Sequence, residues 1–338
     1  MRGEVRVVRA VIITGYGVKV GVKKGYLVIK DGNGSREVPL SEVEQVILTT
    51  SGISITSRAL RLLTDYGVDV VVLDSRGFPV SRLYHPYISR TVDVRRAQYM
   101  AYFTDLGIEL VRSIAYAKVM NQAKYLLGLA RSVKDPELKE VAYGIEDLGN
   151  ELLTLSKKHI SQFRKEVMGI EARAARSYWS ALATVIPKDV GFEGRDQDGT
   201  DQFNIALNYG YGLLYSECWK ALVLAGLDPY AGFLHTDRSG KPTLVFDFVE
   251  MFRVVAVDSL LVRLFRSGWR CSVSNGLLEH KSRLEIIKYF MENLDKRFKV
   301  CSYDSPSQTL RQWVKGVARD LARSLLNSKV FSGPIFRW

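Results

Sequence analysis

Two carboxylates in the last third of the sequence could do chemistry together. Asp247 and Glu250 are three residues apart, a spacing that presents both side chains on one side of a helix. Charges removed from water are costly unless they are paired or bind a metal. A divalent cation is therefore one natural partner, and a salt bridge to Arg253 or Arg263 is an equally weighted alternative. The pair lies within the apolar residues Leu244, Val245, Phe246, Phe248, Val249, Met251 and Phe252.

A histidine just before this pair could add a nitrogen ligand. Carboxylates combined with one imidazole, here that of His235, suit Mg²⁺ or Mn²⁺ better than zinc. The three cysteines are far apart and include no C-x-x-C pair, so they predict neither a disulfide framework nor a zinc knuckle.

Two earlier segments carry polar residues at helical spacing. The stretch GIEARAARSYW places Glu171 and Tyr178 on one helix face with two alanines, so that a helix or a substrate could approach closely. Asn204 and Asn208 stand one turn apart on a later helix, where asparagine is mildly unfavourable and a hydrogen-bonding role is indicated. An exposed polar face is the alternative for both segments, and for an isolated Glu it is the commoner outcome.

The elements that position these residues change character along the chain. Up to about residue 85, short Val- and Ile-rich runs separated by Gly, Asn and Asp predict strands. From about residue 93 the apolar period becomes 3.6, which predicts long helices. We therefore expect a two-domain α+β protein, with a β-rich domain at 1–85 and an all-α domain at 86–338. The predicted strands are Val5 to Ile13, Gly17 to Val22, Tyr26 to Lys30, Val43 to Leu48 and Val68 to Leu73.

Composition narrows the class of function. Lys and Arg outnumber Asp and Glu by 48 to 36, which is typical of a partner of nucleic acid or of a merely basic soluble protein. Gly15 and Gly17, followed by Gly21 and Gly25, lack the Gly-Lys-Ser/Thr ending of a phosphate loop and predict a glycine-rich hairpin, so ATP use is not indicated. No apolar run is long enough to span a membrane, and we expect a cytoplasmic protein without a membrane partner.

The β-rich domain also bears on oligomeric state. Residues 1–85 are too few to cover a sheet fully, and they leave candidate strand edges exposed. Symmetric pairing of such edges is a common way to protect them. We therefore expect a homodimer formed through this domain.

Three segments, taken in order, resemble one known family. GIEARAARSYW, DQFNIALNYGYGLLYSE and FLHTDRSGKPTLVFDFVEMFR are similar to motifs of the CRISPR adaptation integrase, the universal, first-numbered protein of the Cas set. The segment from Lys118 to Gln122, KVMNQ, also resembles a family motif. The chain departs from the family at Asp198-Gly199-Thr200 and at Val254, where proline is common, and these changes affect turns rather than candidate ligands.

The resemblance implies a site and a set of partners. By motif, the metal ligands would be Glu171, His235 and Glu250, with Asp247 as an additional catalytic acid and Mg²⁺ or Mn²⁺ as the ion. The family implies binding of double-stranded and branched DNA. It also implies a homodimer that assembles with a small ferredoxin-like protein, the second Cas protein. Our candidates for orienting the site or positioning DNA phosphates are Tyr178, Asn204 and Asn208.

The implied reaction is a transesterification. The 3′-hydroxyl of a captured DNA fragment would attack a phosphodiester of the CRISPR array and add a new spacer, an exchange that needs no ATP. With water in place of the hydroxyl, the same site would be an endonuclease, and the reverse reaction would resolve branched DNA. The competing hypotheses are a non-catalytic architectural DNA-binding protein and a metal-dependent nuclease unrelated to CRISPR.

Overall fold

The computed structural model describes residues 9–84, 91–157, 159–301 and 306–338. The chain divides into two compact units, residues 1–88 and 89–338. The first unit is built mainly of strands and the second mainly of helices, which confirms the expected α+β class.

The described part of the first unit contains two four-stranded sheets, one α-helix and the short 3₁₀ helix Leu40–Glu42. In one sheet the strand order is β1-β5-β7-β8, with β8 as the antiparallel edge. The other sheet has the order β4-β3-β2-β6. Helix α1 begins at Ser57, where the side chain of Thr56 caps it by accepting the N–H of Ala59. The bounds are β1 Arg9–Ile13, β2 Lys19–Lys23, β3 Tyr26–Asp31, β4 Gly34–Pro39, β5 Val43–Leu48, β6 Ser54–Ile55, α1 Ser57–Asp65, β7 Asp69–Leu73 and β8 Pro79–Leu83.

The predicted glycine-rich hairpin is confirmed for Gly21 and Gly25 and wrong for Gly15 and Gly17. Gly15 and Gly17 do not close a hairpin, because β1 and β2 belong to different sheets. The hairpin joins β2 to β3, with Gly21 in β2 and Gly25 in the turn, and the next hairpin joins β3 to β4 through the Asp31–Gly34 turn. The residues before Arg9 in the first predicted strand lie outside the described residues. Branched aliphatic side chains from both sheets form one core, and this burial fixes the register of the strands.

The second unit packs long helices around a buried core. Its helices are α2 Thr91–Ala101, α3 Asp105–Val133, α4 Pro136–Thr154, α5 Ile160–Val185, α6 Gln202–Leu224, α7 Thr243–Glu250, α8 Ser259–Arg266, α9 His280–Leu294 and α10 Leu310–Leu326. A π-helical turn, Val254–Asp258, joins α7 to α8. Two short ribbons depart from a purely helical unit: β9 Val273–Ser274 with β10 Leu277–Leu278, and β11 Arg297–Phe298 with β12 Gln308–Thr309. No helix in the described ranges is long and apolar enough to cross a membrane.

Three helices position the candidate residues except His235, which lies in the loop before α7. Glu171 and Tyr178 lie on α5, Asn204 and Asn208 on α6, and the Asp247–Glu250 pair on α7, as the helical spacing predicted. The π-helical turn approaches α6 closely at Gly210, where a Cβ atom would lie 2.7 Å from a methyl group of Val257. Glycine is therefore required at this crossing.

Candidate active site

The buried carboxylate of Asp247 is saturated by its own surroundings. Its Oδ2 accepts the backbone N–H groups of Phe233 and Leu234 at 2.5 and 2.9 Å. Its Oδ1 accepts the backbone N–H of His235 at 2.8 Å and lies 2.7 Å from His235 Nδ1. Asp247 therefore fixes the loop before α7 and orients the imidazole, leaving His235 Nε2 as the nitrogen free to meet a ligand.

The other acid of the pair faces a different neighbour. Lys118, on α3, places its Nζ 2.9 Å from Glu250 Oε2 and 3.3 Å from Glu171 Oε1. Arg253 Nη2 lies 2.9 Å from the second oxygen of Glu250. Two cations thus hold two carboxylates from separate helices, and the salt bridge to Arg253 that the sequence left open does form.

The charges of these groups are strongly coupled. Burial raises the pKa of Glu171 above its usual value, and the attraction of Lys118 offsets this only in part. Burial acts in the same direction on Glu250, but Arg253 and Lys118 outweigh it and lower its pKa to about 2. Burial lowers the pKa of His235, whereas its contact with Asp247 and the nearby charges of Glu250 and Glu171 raise it, with a net increase.

The facing oxygens give a direct test of the metal prediction. Glu171 Oε1 and Glu250 Oε2 are both buried, and neither accepts a well-oriented hydrogen bond from a described residue. Such oxygens need a cation, and Lys118 supplies one here. As the side chains stand, no three His, Cys, Asp or Glu residues in the described ranges converge where they could hold an ion. The donor types fit Mg²⁺ or Mn²⁺, provided that the Lys118 ammonium withdraws from between the two carboxylates.

The two asparagines hold an arginine that sequence reasoning missed. Asn204 and Asn208 accept hydrogen bonds from the Arg195 guanidinium through their Oδ1 atoms, at 3.1 and 2.6 Å. Their amide nitrogens donate to backbone carbonyls of Gly194 and Gln197 in the same loop. Neutral amide oxygens fix the guanidinium in place without cancelling its charge.

A cavity of about 90 Å³ adjoins the carboxylates. Arg195, Arg253, Lys118 and Glu250 line it, together with Gln122, whose buried Oε1 has no hydrogen-bond donor among the described residues. The guanidinium groups of Arg195 and Arg253 lie 5.6 and 4.6 Å from the centre of one ring, that of Tyr211. Three cations therefore converge on a space of limited volume next to the candidate ligands.

Tyr178 lies away from the facing carboxylates. It is fully buried, and its hydroxyl donates to Asp258 Oδ2 at 3.0 Å, while Tyr211 donates to Asp258 Oδ1 at 2.6 Å. Burial raises the pKa of Asp258, although both tyrosine hydrogen bonds act against this shift. Tyr178 thus contacts a carboxylate that lines the cavity, and it reaches the site only through that group.

The structure brings together three side chains to which sequence reasoning gave no role, those of Lys118, Arg195 and Asp258, and it adds Arg253, which the sequence offered only as a salt-bridge partner. The sequence contained a signal for two of these residues. Lys118 lies in the family-like KVMNQ segment, and Arg253 lies three residues after Glu250. Arg195 and Asp258 had none, because a lone Arg in a polar loop and a lone Asp in an apolar run are common. Asn121, in the same KVMNQ segment, is structural: its amide donates to the carbonyls of Met251 and Pro334.

A helical unit that holds two carboxylates from separate helices, those of Glu171 and Glu250, on one lysine beside a small cavity lined by three cations defines a candidate site for phosphodiester chemistry. The family model described as CRISPR associated protein Cas1 matches residues 11–292. The chain belongs to this family.

Relatives and solved structures agree with this assignment. The CRISPR-associated endonuclease Cas1 2 of Saccharolobus solfataricus is 39% identical over 326 residues, which covers 96% of this chain and 97% of the relative. A casposase bound to integration product is similar in structure, with a TM-score of 0.81 and 26% identity over 95% of this chain and 92% of that one. A CAS1 protein from Thermotoga maritima shares the fold, with a TM-score of 0.76 and 18% identity over 96% and 99% of the two chains.

Proposed function

We propose that this protein is a metal-dependent DNA integrase and endonuclease that inserts captured DNA fragments as new spacers into a CRISPR array, a step of antiviral defence. The observation that carries the proposal is the pair of buried Glu171 and Glu250 oxygens that face one Lys118 ammonium. An arrangement of anions around an exchangeable cation, beside a cationic cavity, suits a phosphodiester substrate. The family membership and the casposase likeness support the same reaction class.

Glu171, Glu250 and His235 Nε2 would hold the ion. When bound, Mg²⁺ or Mn²⁺ would polarise the scissile phosphate and stabilise the departing oxyanion. Asp247 is excluded from direct ligation in this proposal because both of its oxygens already accept backbone donors. It is a positioning residue that keeps the imidazole in one orientation.

The remaining residues would bind and orient the DNA backbone. Arg195 and Lys118 carry the positive charge that a phosphate in the cavity would neutralise, and Asn204 and Asn208 keep Arg195 pointed at it. Tyr178 would act through Asp258, by holding the floor of the cavity in place. Charge-assisted contacts of arginine to phosphate are among the stronger polar contacts in proteins.

One assay tests this function against its rivals. Branched DNA that carries an integrated fragment is incubated with and without Mn²⁺, and strand rejoining is followed on a denaturing gel. We expect rejoining only with the metal. An architectural DNA-binding protein would bind the DNA without rejoining it. The direct pairing of Glu171 and Glu250 with cations is the observation that favours this alternative. A nuclease unrelated to CRISPR would cut and never rejoin.

The assembly is a separate part of the proposal. We infer a homodimer formed through the β-rich unit, in which the edge strands β4 and β8 are mostly solvent-exposed or half-buried. The family resemblance adds the small ferredoxin-like second Cas protein as a partner of that dimer. Light scattering at micromolar concentration should give the mass of two chains, and a mass of one chain would contradict the dimer.

A further inference from the structure

Two neighbouring cavities with basic linings, together called the groove, lie on the helical unit in addition to the carboxylate site. Two cavities of about 650 and 640 Å³ share the indole of Trp338 as a common wall. The C-terminal half of α3 contributes to both cavities. The start of α4 completes the first, and α8 together with the segment after α9 completes the second.

The walls of the groove carry almost only positive charge. Asp135 is the single acid among the described lining residues, and its carboxylate caps α4 by accepting the N–H groups of Glu137 and Leu138. The whole chain has 36 acidic residues for 48 basic ones, so a lining with one acid is much more basic than the chain as a whole. Such a lining is suited to bind an anion. The lining cations are Lys124, Arg131, Lys134, Lys139 and Arg337 in the first cavity, and Arg263, Arg266, Lys296 and Arg297 in the second.

Several of these cations have no counter-charge. Lys134, Arg337, Arg263 and Arg266 are exposed, and none of them forms an ion pair within the described part of the chain. Burial lowers the pKa of Lys296, and the neighbouring positive charge of Arg263 lowers it further, while Glu292 raises it. A polyanion would relieve this repulsion and release its own counterions on binding.

Aromatic rings are interleaved with the charges. The Trp338 ring lies 4.8 Å from the ring of Tyr125 and 6.4 Å from that of Phe298, measured between centroids. In the first cavity, Tyr143 is 49% exposed, and the ammonium of Lys139 lies 5.8 Å from its ring centroid. An exposed ring beside a cation is a platform on which an unpaired base can stack while its phosphate meets the charge.

The wall between the cavities is firmly built. The backbone N–H of Phe336 donates to the side chain of Asn121, and the carbonyl of Trp338 accepts from Arg131. Trp338 packs over Gly128 so closely that a Cβ atom there would lie 2.8 Å from the Cβ of Trp338. The last residues therefore form a fixed wall between the two cavities.

We propose that this groove binds a single-stranded segment of DNA. The alternation of cations with aromatic rings favours unpaired bases, because a duplex keeps its bases stacked internally and offers mainly its backbone. Lys118 and Arg131 lie on the same helix, about 20 Å apart along its axis. The groove is thus a second DNA-binding surface beside the reaction centre, and it does not require the metal.

The test measures binding of fluorescein-labelled oligothymidine by anisotropy in EDTA. Charge reversal in the double variant Arg263→Glu/Arg266→Glu, and separately in Lys134→Glu/Arg337→Glu, should weaken binding. Each should also reduce the salt-dependence slope by about 0.7 for every DNA phosphate that the variant no longer neutralises. Tyr143→Ala should weaken binding roughly tenfold, while Tyr143→Phe, which keeps the ring, should bind as the wild type does.

The matched control is Lys165→Glu/Lys188→Glu, which changes the net charge by the same amount at exposed lysines that do not line the groove. All variants should keep the wild-type melting temperature. Equal weakening by the control, or unchanged binding in both groove variants, overturns the proposal. Weakening confined to labelled duplex would assign the groove to duplex backbone and overturn it as well. Glu171→Ala should bind oligothymidine as the wild type does. The binding test of the groove is therefore independent of whether the protein performs the metal-dependent reaction.

Discussion

The carboxylates of the candidate site fall into two regions that differ in what holds them: Asp247 near the loop before α7, and Glu171 with Glu250 near α3. Asp247 accepts three backbone N–H groups and contacts the His235 ring, so its partners are fixed by the course of the chain. Glu171 and Glu250 share the ammonium of Lys118, which stands at the end of a flexible side chain. The partners of Asp247 are fixed by the fold, whereas the other two acids share a lysine that can leave, and Glu250 keeps Arg253 as a second partner.

This difference separates structural from exchangeable roles. Replacing the partners of Asp247 would require the loop before α7 to unfold, because each backbone donor would lose its acceptor. Replacing Lys118 requires only a change of rotamer, since another cation can satisfy the same oxygens. Three acids of similar burial therefore need not have similar functions, and the following substitutions test the contrast.

The largest effect is expected for Glu171→Ala. Strand rejoining should fall about 1,000-fold, because loss of metal-assisted charge stabilisation is worth several kcal/mol. The melting temperature and DNA binding should change little, since Lys118 retains Glu250 as a partner. Gel-based rejoining and thermal unfolding measure both quantities. Glu151→Ala, which removes an acid paired with Arg173 on the surface, is the control and should remain active.

Asp247→Ala should act mainly on stability. Three buried backbone donors would lose their acceptor, and the free energy of unfolding should fall by roughly 3–5 kcal/mol in metal-free protein. Asp247→Asn keeps an acceptor oxygen and should be less destabilised, while still binding Mn²⁺ and reacting more slowly. Urea unfolding provides the comparison. If Asp247→Ala proves as stable as Glu171→Ala, the contrast between the two regions of the site does not hold.

Lys118→Met tests whether the lysine is exchangeable. The substitution keeps the apolar stem and removes the charge that competes for Glu171 and Glu250. We expect Mn²⁺ to bind roughly tenfold more tightly and to raise the melting temperature more than in the wild type. Isothermal titration calorimetry measures the affinity, with Lys165→Met as the control. Weaker Mn²⁺ binding in Lys118→Met would mean that the lysine supports the ligands rather than competing with a metal.

The smallest effect is expected for Asn208→Ala. Arg195 is the counterpart of Asp247 with the opposite charge. The amide oxygens of two asparagines fix its guanidinium, as backbone N–H groups fix the Asp247 carboxylate. Removing one of its two amide acceptors should weaken duplex binding about threefold in EDTA, consistent with one modest hydrogen bond. Arg195→Ala should weaken it further and reduce the salt-dependence slope by about 0.9. Identical salt slopes for Arg195→Ala and wild type would exclude a phosphate contact.

The sequence by itself determined the class of fold and the local placement of the candidate residues. The spacing of apolar residues changes from a strand-like period of 2 to a helical period of 3.6 between the two units. Burial of one face of a strand or helix imposes this spacing, whatever the position of the element in the fold. The same reasoning placed Glu171, Asn204 and Asp247 on helices. Motif resemblance then selected acids that composition alone could not distinguish from surface charges.

Only the tertiary structure decided which of these residues meet. Spacing put Asp247 and Glu250 on one helical face, yet one contacts the loop before α7 and the other contacts α3. Lys118 and Glu171 are far apart in the sequence, and their contact depends on how α3 packs against α5. Arg195 becomes part of the site through asparagines on α6. Such long-range contacts are set by the packing of side chains in the core, which local periodicity does not encode.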